Sequence, residues 1–254
     1  QLLSPEEVTD YLPLVNEEEI LGGYYSPTDG RVDGIAALQW YVEHSTADFY
    51  GHTSVTDFDV SSGEVTAVET DRGRIDCDRC VLATNNWGYK TGKLAGLDLP
   101  IAPVEHQYAV TEPLDELADA EPTARVDTAD LDVPGDHRIA DAMSRGPTRP
   151  VGRDQDHSLY FRTHGDSIGL GSYNHESLTV DPDAMGENTE RRQASVRDFT
   201  DRHWERATHP DRDKSPKRAF EELLPVTEGT EFEATENGIF VFTPDGMPVL
   251  GETA

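Results

Sequence analysis

Lysine, cysteine and long apolar runs are what this sequence is short of. Only 4 of its 21 basic residues are lysine (Lys90, Lys93, Lys214 and Lys217), and they stand against 50 acidic residues, for a formal net charge of −29 over 254 residues. A nucleic-acid partner needs a basic face, and none is visible, so that class of function is disfavoured. No apolar run reaches membrane length and no signal-peptide pattern occurs, so a soluble, cytoplasmic protein with no membrane partner is expected. The chain opens on Gln1 rather than methionine, which reads as an internal fragment of a longer protein.

The scarcity of cysteine excludes a disulfide framework. Cys77 and Cys80 form a single CDRC; a structural zinc site needs four ligands and no second pair exists, while a thioredoxin-type pair belongs at a helix start. Here the pair sits in GRIDCDRCVLAT, which reads as two short strands, so two small buried thiols and no metal are expected. Equally missing are a Walker loop, an HExxH pair and an EF-hand loop. The nearest thing to a GxGxxG fingerprint, GLGSYN from Gly169, lies between predicted strands and opens no helix. By motif alone the chain has no cofactor site.

What is present is a core. Hydrophobic residues make up 35% of the chain, with 8 Phe, 9 Tyr and 3 Trp spread along it, so the low mean hydropathy comes from an acidic surface and the chain is globular. Few lysines and many carboxylates resemble the proteins of extreme halophiles, whose self-repulsion is screened at a Debye length of about 3 Å in 1 M salt. The acids are scattered rather than blocked, which counts against an acidic partner-binding face.

Along the chain, SPEEVTDYL has a capping-box start with proline at the first helical position. GGYYSPTDGRVDG is a loop that leads into an apolar-periodic helix, IAALQWYVEHSTADFYG, expected to pack on a sheet. TSVTDFDV, EVTAVETDRG and GRIDCDRCVLAT alternate between SSG and DRG turns and read as a β-meander followed by a strand ending in ATNNWG. PVEHQYAVT is a further strand. Residues 113–156 read as a surface insertion, SLYFRTHGDSIGLGSYNHE as a hairpin, NTERRQASVRDFTDRHWERATH as an amphipathic helix, and the C-terminal stretch as strands and turns. The pattern is α+β, or mixed α/β, with helices and antiparallel strands interleaved.

Alternation puts His106 and Tyr108 on one face of their strand, and Tyr160, Arg162 and His164 on one face of theirs. Should the two faces meet, Arg162 would hold a carboxylate in its fork and His106, near an ordinary pKa of about 6.5, would take or hold a proton: a site for a small carboxylate-bearing amine. The plain alternative, polar residues of half-exposed strands, stays open on this reading.

Five stretches in order, YYSPTDGRVDG, VLATNNWG, PVEHQYAVTEPL, RDQDHSLYFRTHGDSIGLGSYNHE and ENGIFVFTPDGMPVLGE, resemble the flavin-dependent amine oxidoreductases of the glycine oxidase and sarcosine oxidase superfamily. Within it they are most similar to dimethylglycine oxidase and to the dimethylglycine and sarcosine dehydrogenases. The resemblance implies FAD, a substrate domain on a mixed antiparallel sheet interleaved with a Rossmann-like domain, and oxidative N-demethylation by hydride transfer from an N-methyl carbon. It implies that His106 in EHQY and Tyr160 in LYFR are the catalytic pair, and that Val55 in TSVTDF offers its backbone to the adenosine part of FAD. TPDG, Thr243 to Gly246, falls on the family's loop near the flavin and reads equally as a hairpin turn. Arg162 as substrate anchor is a geometric extension.

Departures from the family pattern are the missing GxGxxG, the missing histidine that often carries covalent flavin, the missing folate-binding module through which tetrahydrofolate would be a partner, and Asn85-Asn86 where relatives have Ala-Gly. The expected organisation is a partial FAD-binding domain over 23–101 and 239–254, and a substrate-binding domain over 1–22 and 102–238. As a fragment the chain is expected to hold no FAD alone and to be inactive alone. The rival reading is a non-catalytic binding or scaffold domain that keeps the fold without flavin.

Overall fold

A computed structural model describes residues 1–30, 32, 34–119, 146, 149–175, 178–185, 204 and 214–252. The expected insertion over 113–156 lies largely outside these residues, as does the expected amphipathic helix after 187, apart from Trp204.

The N-terminal cap forms as its sequence dictates. Helix α1 (Pro5–Tyr11) starts with Ser4 Oγ accepting from Glu7 N at 3.3 Å and Glu7 Oε2 accepting from Ser4 N at 2.8 Å, a reciprocal pair contributing about 1 kcal/mol. Strands β1 (Leu2–Leu3) and β2 (Gly23–Tyr24) flank it as an antiparallel pair. Helix α2 (Gly34–His44) buries none of its residues, which corrects the expectation that it packs on a sheet: Leu38, Trp40 and Tyr41 are exposed. Periodicity fixes an apolar stripe, but not what covers it.

Strands β3 (Val55–Ser61), β4 (Glu64–Thr70) and β5 (Gly73–Asp76) form the expected meander in the order β3-β4-β5. Its first turn places Ser62 at φ 57° and Gly63 at φ 84°, the two left-handed residues a tight hairpin requires. The strand expected at VLAT does not form among the described residues, because a strand exists only through a neighbour's ladder. In consequence Cys77 is half-buried and Cys80 exposed, both free, rather than buried. ATNNWG instead leads into a short helix, α3 (Gly88–Leu94), with Asn85 at φ 43°, a conformation asparagine tolerates better than most residues.

The five-stranded sheet carries the candidate site residues. Strands β6 (Ala102–Thr111), β7 (Gly152–Asp154), β8 (Leu159–His164), β9 (Ser167–Ser172) and β10 (Phe232–Phe242) assemble in the order β10-β6-β9-β8-β7. β8 and β9 form the expected hairpin, turning through Gly165 and Asp166 with Gly165 at φ 64°; GLGS therefore lies within β9, not between strands. Register sorts the two faces: Phe161 opposes Leu170 and Ala109 opposes Leu170 on one, while Tyr160 and Tyr108 both oppose Gly171 on the other. The first face is apolar and packs with Val8 of α1 and with Ala219, Phe220 and Leu223 of helix α4 (Pro216–Leu223). Each such large side chain contributes about 1.5–3 kcal/mol through burial. Trp204 joins this core, its ring 5.6 Å from that of Phe220.

The chain divides into two compact units, one of Gln1–Gly30, Glu105–Leu178 and Glu187–Gly238, the other of Arg31–Val104, Thr179–Gly186 and Ile239–Ala254. Among the described residues no helix is long and apolar enough to cross a membrane.

Candidate active site

The polar face of the five-stranded sheet brings β6 and β8 together across β9, although the two strands are not neighbours. Two glycines make this possible. A Cβ on Gly169 would run into Tyr108 Oη and His164 Nε2, and one on Gly171 into the Tyr160 ring. With no side chain at these two positions of the middle strand, the tyrosines and histidines of the outer two lean over it and meet.

They meet in two hydrogen-bonded arrays. In the first, His106 Nε2 lies 2.8 Å from Tyr160 Oη, and His106 Nδ1 lies 3.0 Å from His175 Nε2. In the second, Arg162 Nε donates to His164 Nε2 at 3.0 Å and Tyr108 Oη lies 2.9 Å from the same nitrogen. A guanidinium only donates, so His164 Nε2 presents its lone pair to Arg162 and receives the Tyr108 hydroxyl proton as well. Tyr173 covers His106 with ring centroids 4.7 Å apart, and the Tyr160 ring runs nearly parallel to Tyr108 at 6.0 Å.

Burial sets the protonation states. β6 is covered on both faces, with His106 only 6% exposed and Gln107 1%, so this is no half-exposed strand. Burial first, and His175 second, lower the pKa of His106 from 6.5 to about 3, which corrects the expectation of a histidine poised near neutrality: a desolvated imidazolium beside a second imidazole is disfavoured. Burial, followed by the neighbouring Tyr173 and Tyr108, pushes Tyr160 above the ordinary phenol value, with Arg153 opposing. His106 and Tyr160 are therefore both uncharged. Arg162 is half-buried, donates to His164 and makes no ion pair among the described residues.

His106, Tyr160 and Arg162 thus share one face of one unit. Val55 does not join them: it opens β3, opposite Thr70, in the other unit. Sequence reasoning missed His175, Tyr173 and the role of the β9 glycines. The signal lay in Gly169, Gly171, Tyr173 and His175 recurring at every second position. Residues Gly165 to Gly169 also spell GxSxG, but Ser167 opens a strand after a hairpin turn rather than a strand-to-helix elbow, so no hydrolase nucleophile follows. A small cavity lined by Leu12, Val15, Phe161, Ile168 and Leu224 lies on the apolar face, away from these groups.

The human mitochondrial dimethylglycine dehydrogenase is 27% identical over 253 residues, covering 98% of this chain and 26% of that protein. The mouse mitochondrial sarcosine dehydrogenase is 26% identical over 263 residues, covering 99% of this chain and 24% of that protein. The chain thus spans about a quarter of the length of these relatives. Among solved structures, L-proline dehydrogenase from P. horikoshii superimposes with a TM-score of 0.66 at 20% identity, covering 100% of this chain and 56% of that one, a likeness of fold. The sequence pattern of the FAD dependent oxidoreductase (DAO) family matches residues 1–254, and the chain belongs to that family.

Proposed function

We propose that this chain carries the substrate face of an FAD-dependent oxidoreductase that N-demethylates a small N-methyl amino acid such as dimethylglycine or sarcosine. The observation that carries the reading is the Tyr160–His106 contact of 2.8 Å on the same face as Arg162, which makes no ion pair among the described residues. The names of the dimethylglycine and sarcosine dehydrogenases to which the chain is similar support the substrate class.

FAD, when bound, supplies the acceptor for the hydride that leaves the N-methyl carbon. The residues fit the substrate side of such a cofactor: a neutral imidazole, an un-ionised phenol and a cation are what an amino acid with one carboxylate and one amine requires. For the cofactor itself the 254 residues hold no GxGxxG pyrophosphate cradle, and only the Val55 backbone is assigned a contact, on family resemblance. Arg162 binds the carboxylate through the guanidinium edge that His164 leaves open, a charge-assisted contact worth about 1.5–3 kcal/mol. His164 holds that guanidinium in place. Tyr160 and His106 orient the amine and hold it in the neutral form from which hydride departs, since a protonated nitrogen has no lone pair to stabilise the developing iminium. We assign the unit containing β8 and β9 to substrate binding and the unit containing β3 to β5 to the flavin side.

Anaerobic rapid mixing of the FAD-loaded protein with dimethylglycine tests this reading. Tyr160→Phe and His106→Ala are each expected to slow flavin reduction by about 10²-fold or more while leaving FAD affinity unchanged. Unchanged reduction rates remove both residues from the mechanism.

A further inference from the structure

We infer that the site takes an N-methyl amino acid bearing a second carboxylate, and that Arg153 on β7 is the residue that receives it. This rests on the functional reading above and deepens it by naming the substrate class: an N-methylated amino dicarboxylic acid such as N-methylaspartate, with Arg162 holding one acid group and Arg153 the other.

Register places the second cation. Arg153 pairs with Tyr160 across β7 and β8, and residues directly opposite in an antiparallel pair share a face, with Cβ atoms about 4.5–5.5 Å apart. Arg162 lies two positions further along β8, so it shares that face as well. Tyr160 therefore stands beside two arginines of the same unit, one across the ladder and one along it. The nearness of Arg153 shows in its charge, which opposes the effect of burial on the Tyr160 hydroxyl. Arg153 and Arg162 are diagonal neighbours, whose Cβ atoms stand about 7–8 Å apart, a span that two long side chains close onto the ends of a short diacid.

The same face holds no acid to answer either charge. Arg153 is exposed and, among the described residues, makes no ion pair. On β6, β7, β8 and β9 no aspartate or glutamate occupies this side. The carboxylates of these strands, Glu105 and Asp154, alternate to the opposite side, where Glu105 accepts from Asn237 Nδ2 at 3.0 Å and Asp154 lies 2.6 Å from His157 Nδ1. In a chain with 50 acidic residues against 21 basic ones, a face with two arginines and no acid reverses the composition. Like charges held close repel unless an anion lies between them. A monocarboxylate fills one guanidinium fork and leaves the other unanswered; a diacid fills both and brings its amine to Tyr160 between them.

Isothermal titration of the FAD-loaded protein with succinate and with butyrate, at one fixed salt concentration, tests this without any reaction, since neither acid carries an amine to oxidise. The two are alike in chain length and differ by one carboxylate. Succinate is expected to bind about 10-fold more tightly, less than a buried charge-assisted contact would give because Arg153 is exposed. Arg153→Gln is expected to abolish that preference and Arg153→Glu to reverse it. Equal binding of the two acids by the wild-type protein, or a preference that survives both substitutions, overturns the inference. Anaerobic mixing separates it from the reading beneath it: N-methylaspartate is expected to reduce the flavin at lower concentration than N-methylalanine, an order lost in Arg153→Gln. If dimethylglycine bleaches the flavin while the wild-type protein shows no preference for the diacid, only this inference fails. If no N-methyl amino acid bleaches it, the functional reading fails and this inference with it, however tightly succinate binds.

Discussion

Two arginines on two sheets show what each surface is for. Arg74 on β5 is ringed by carboxylates: its guanidinium lies 2.7 Å from Glu69 and 2.7 Å from Asp76, and it also pairs with Asp59. Arg162 on β8 has a histidine for a neighbour and, among the described residues, no ion pair. In a chain with a net charge of −29, leaving a half-buried cation without a carboxylate is the unusual state, because an unpaired charge that is partly desolvated costs free energy. Arg74 offsets part of the charge of its own surface, whereas on the reading proposed above Arg162 is left for an anion that arrives from outside.

The largest way to break that difference is to fill the strip between the two arrays. Gly171→Ala forces the Tyr160 ring aside; overpacking costs about 1–3 kcal/mol, but the greater effect is expected on flavin reduction, because the displaced hydroxyl loses His106. Thermal denaturation and rapid mixing on one sample separate the two. Next comes Arg162→Gln, expected to raise KM for a carboxylate-bearing amine by about 10–100-fold, the equivalent of one charge-assisted contact, with a smaller change in kcat.

A pH titration of stability sharpens the contrast in burial. Below its ordinary pKa of 6.5 His106 in the unfolded chain binds a proton that the folded chain refuses until about pH 3. Stability from this group is therefore complete above 6.5 and is lost progressively as pH falls toward 3. His106→Gln is expected to flatten that part of the curve, measured by circular dichroism.

The smallest effect belongs to Arg74. Arg74→Gln is expected to leave flavin reduction untouched and to lower the melting temperature slightly, by an amount that vanishes in 1 M salt as exposed charges are screened. The whole chain, by contrast, is expected to lose stability as salt is withdrawn, since its 50 carboxylates far outnumber its 21 lysines and arginines.

Much of this was legible in the sequence wherever the signal is local. Ser4-Pro5-Glu6-Glu7 specifies a cap, Ser62-Gly63 a hairpin turn, Gly165-Asp166 another, and period-two alternation assigns His106, Tyr160 and Arg162 to faces. What alternation does not show is which strand lies between two others. That Tyr160 reaches His106 depends on β9 standing between them and on its glycines, read from sequence only as a failed fingerprint. His175 keeps the every-second-position spacing of Gly169 and Gly171 but lies beyond β9, which ends at Ser172, so alternation alone did not show that it meets His106. The apolar stripe of α2 and the apolar VLAT read as buried elements, but burial is a property of neighbours, and among the described residues Val81 is exposed and α2 buries nothing. The low pKa of His106 likewise comes from its coverage and from His175, neither of which composition reveals.

The most direct test of the central claim is anaerobic titration of the FAD-loaded protein with dimethylglycine, followed by the flavin absorbance, beside the same titration with its uncharged amide. Bleaching by dimethylglycine, with the amide needing far higher concentrations, and loss of that discrimination in Arg162→Gln, is the result expected from a site that anchors a carboxylate at Arg162 and an amine at Tyr160. Failure of every N-methyl amino acid to bleach the flavin, or equal bleaching by acid and amide in the wild-type protein, would contradict it.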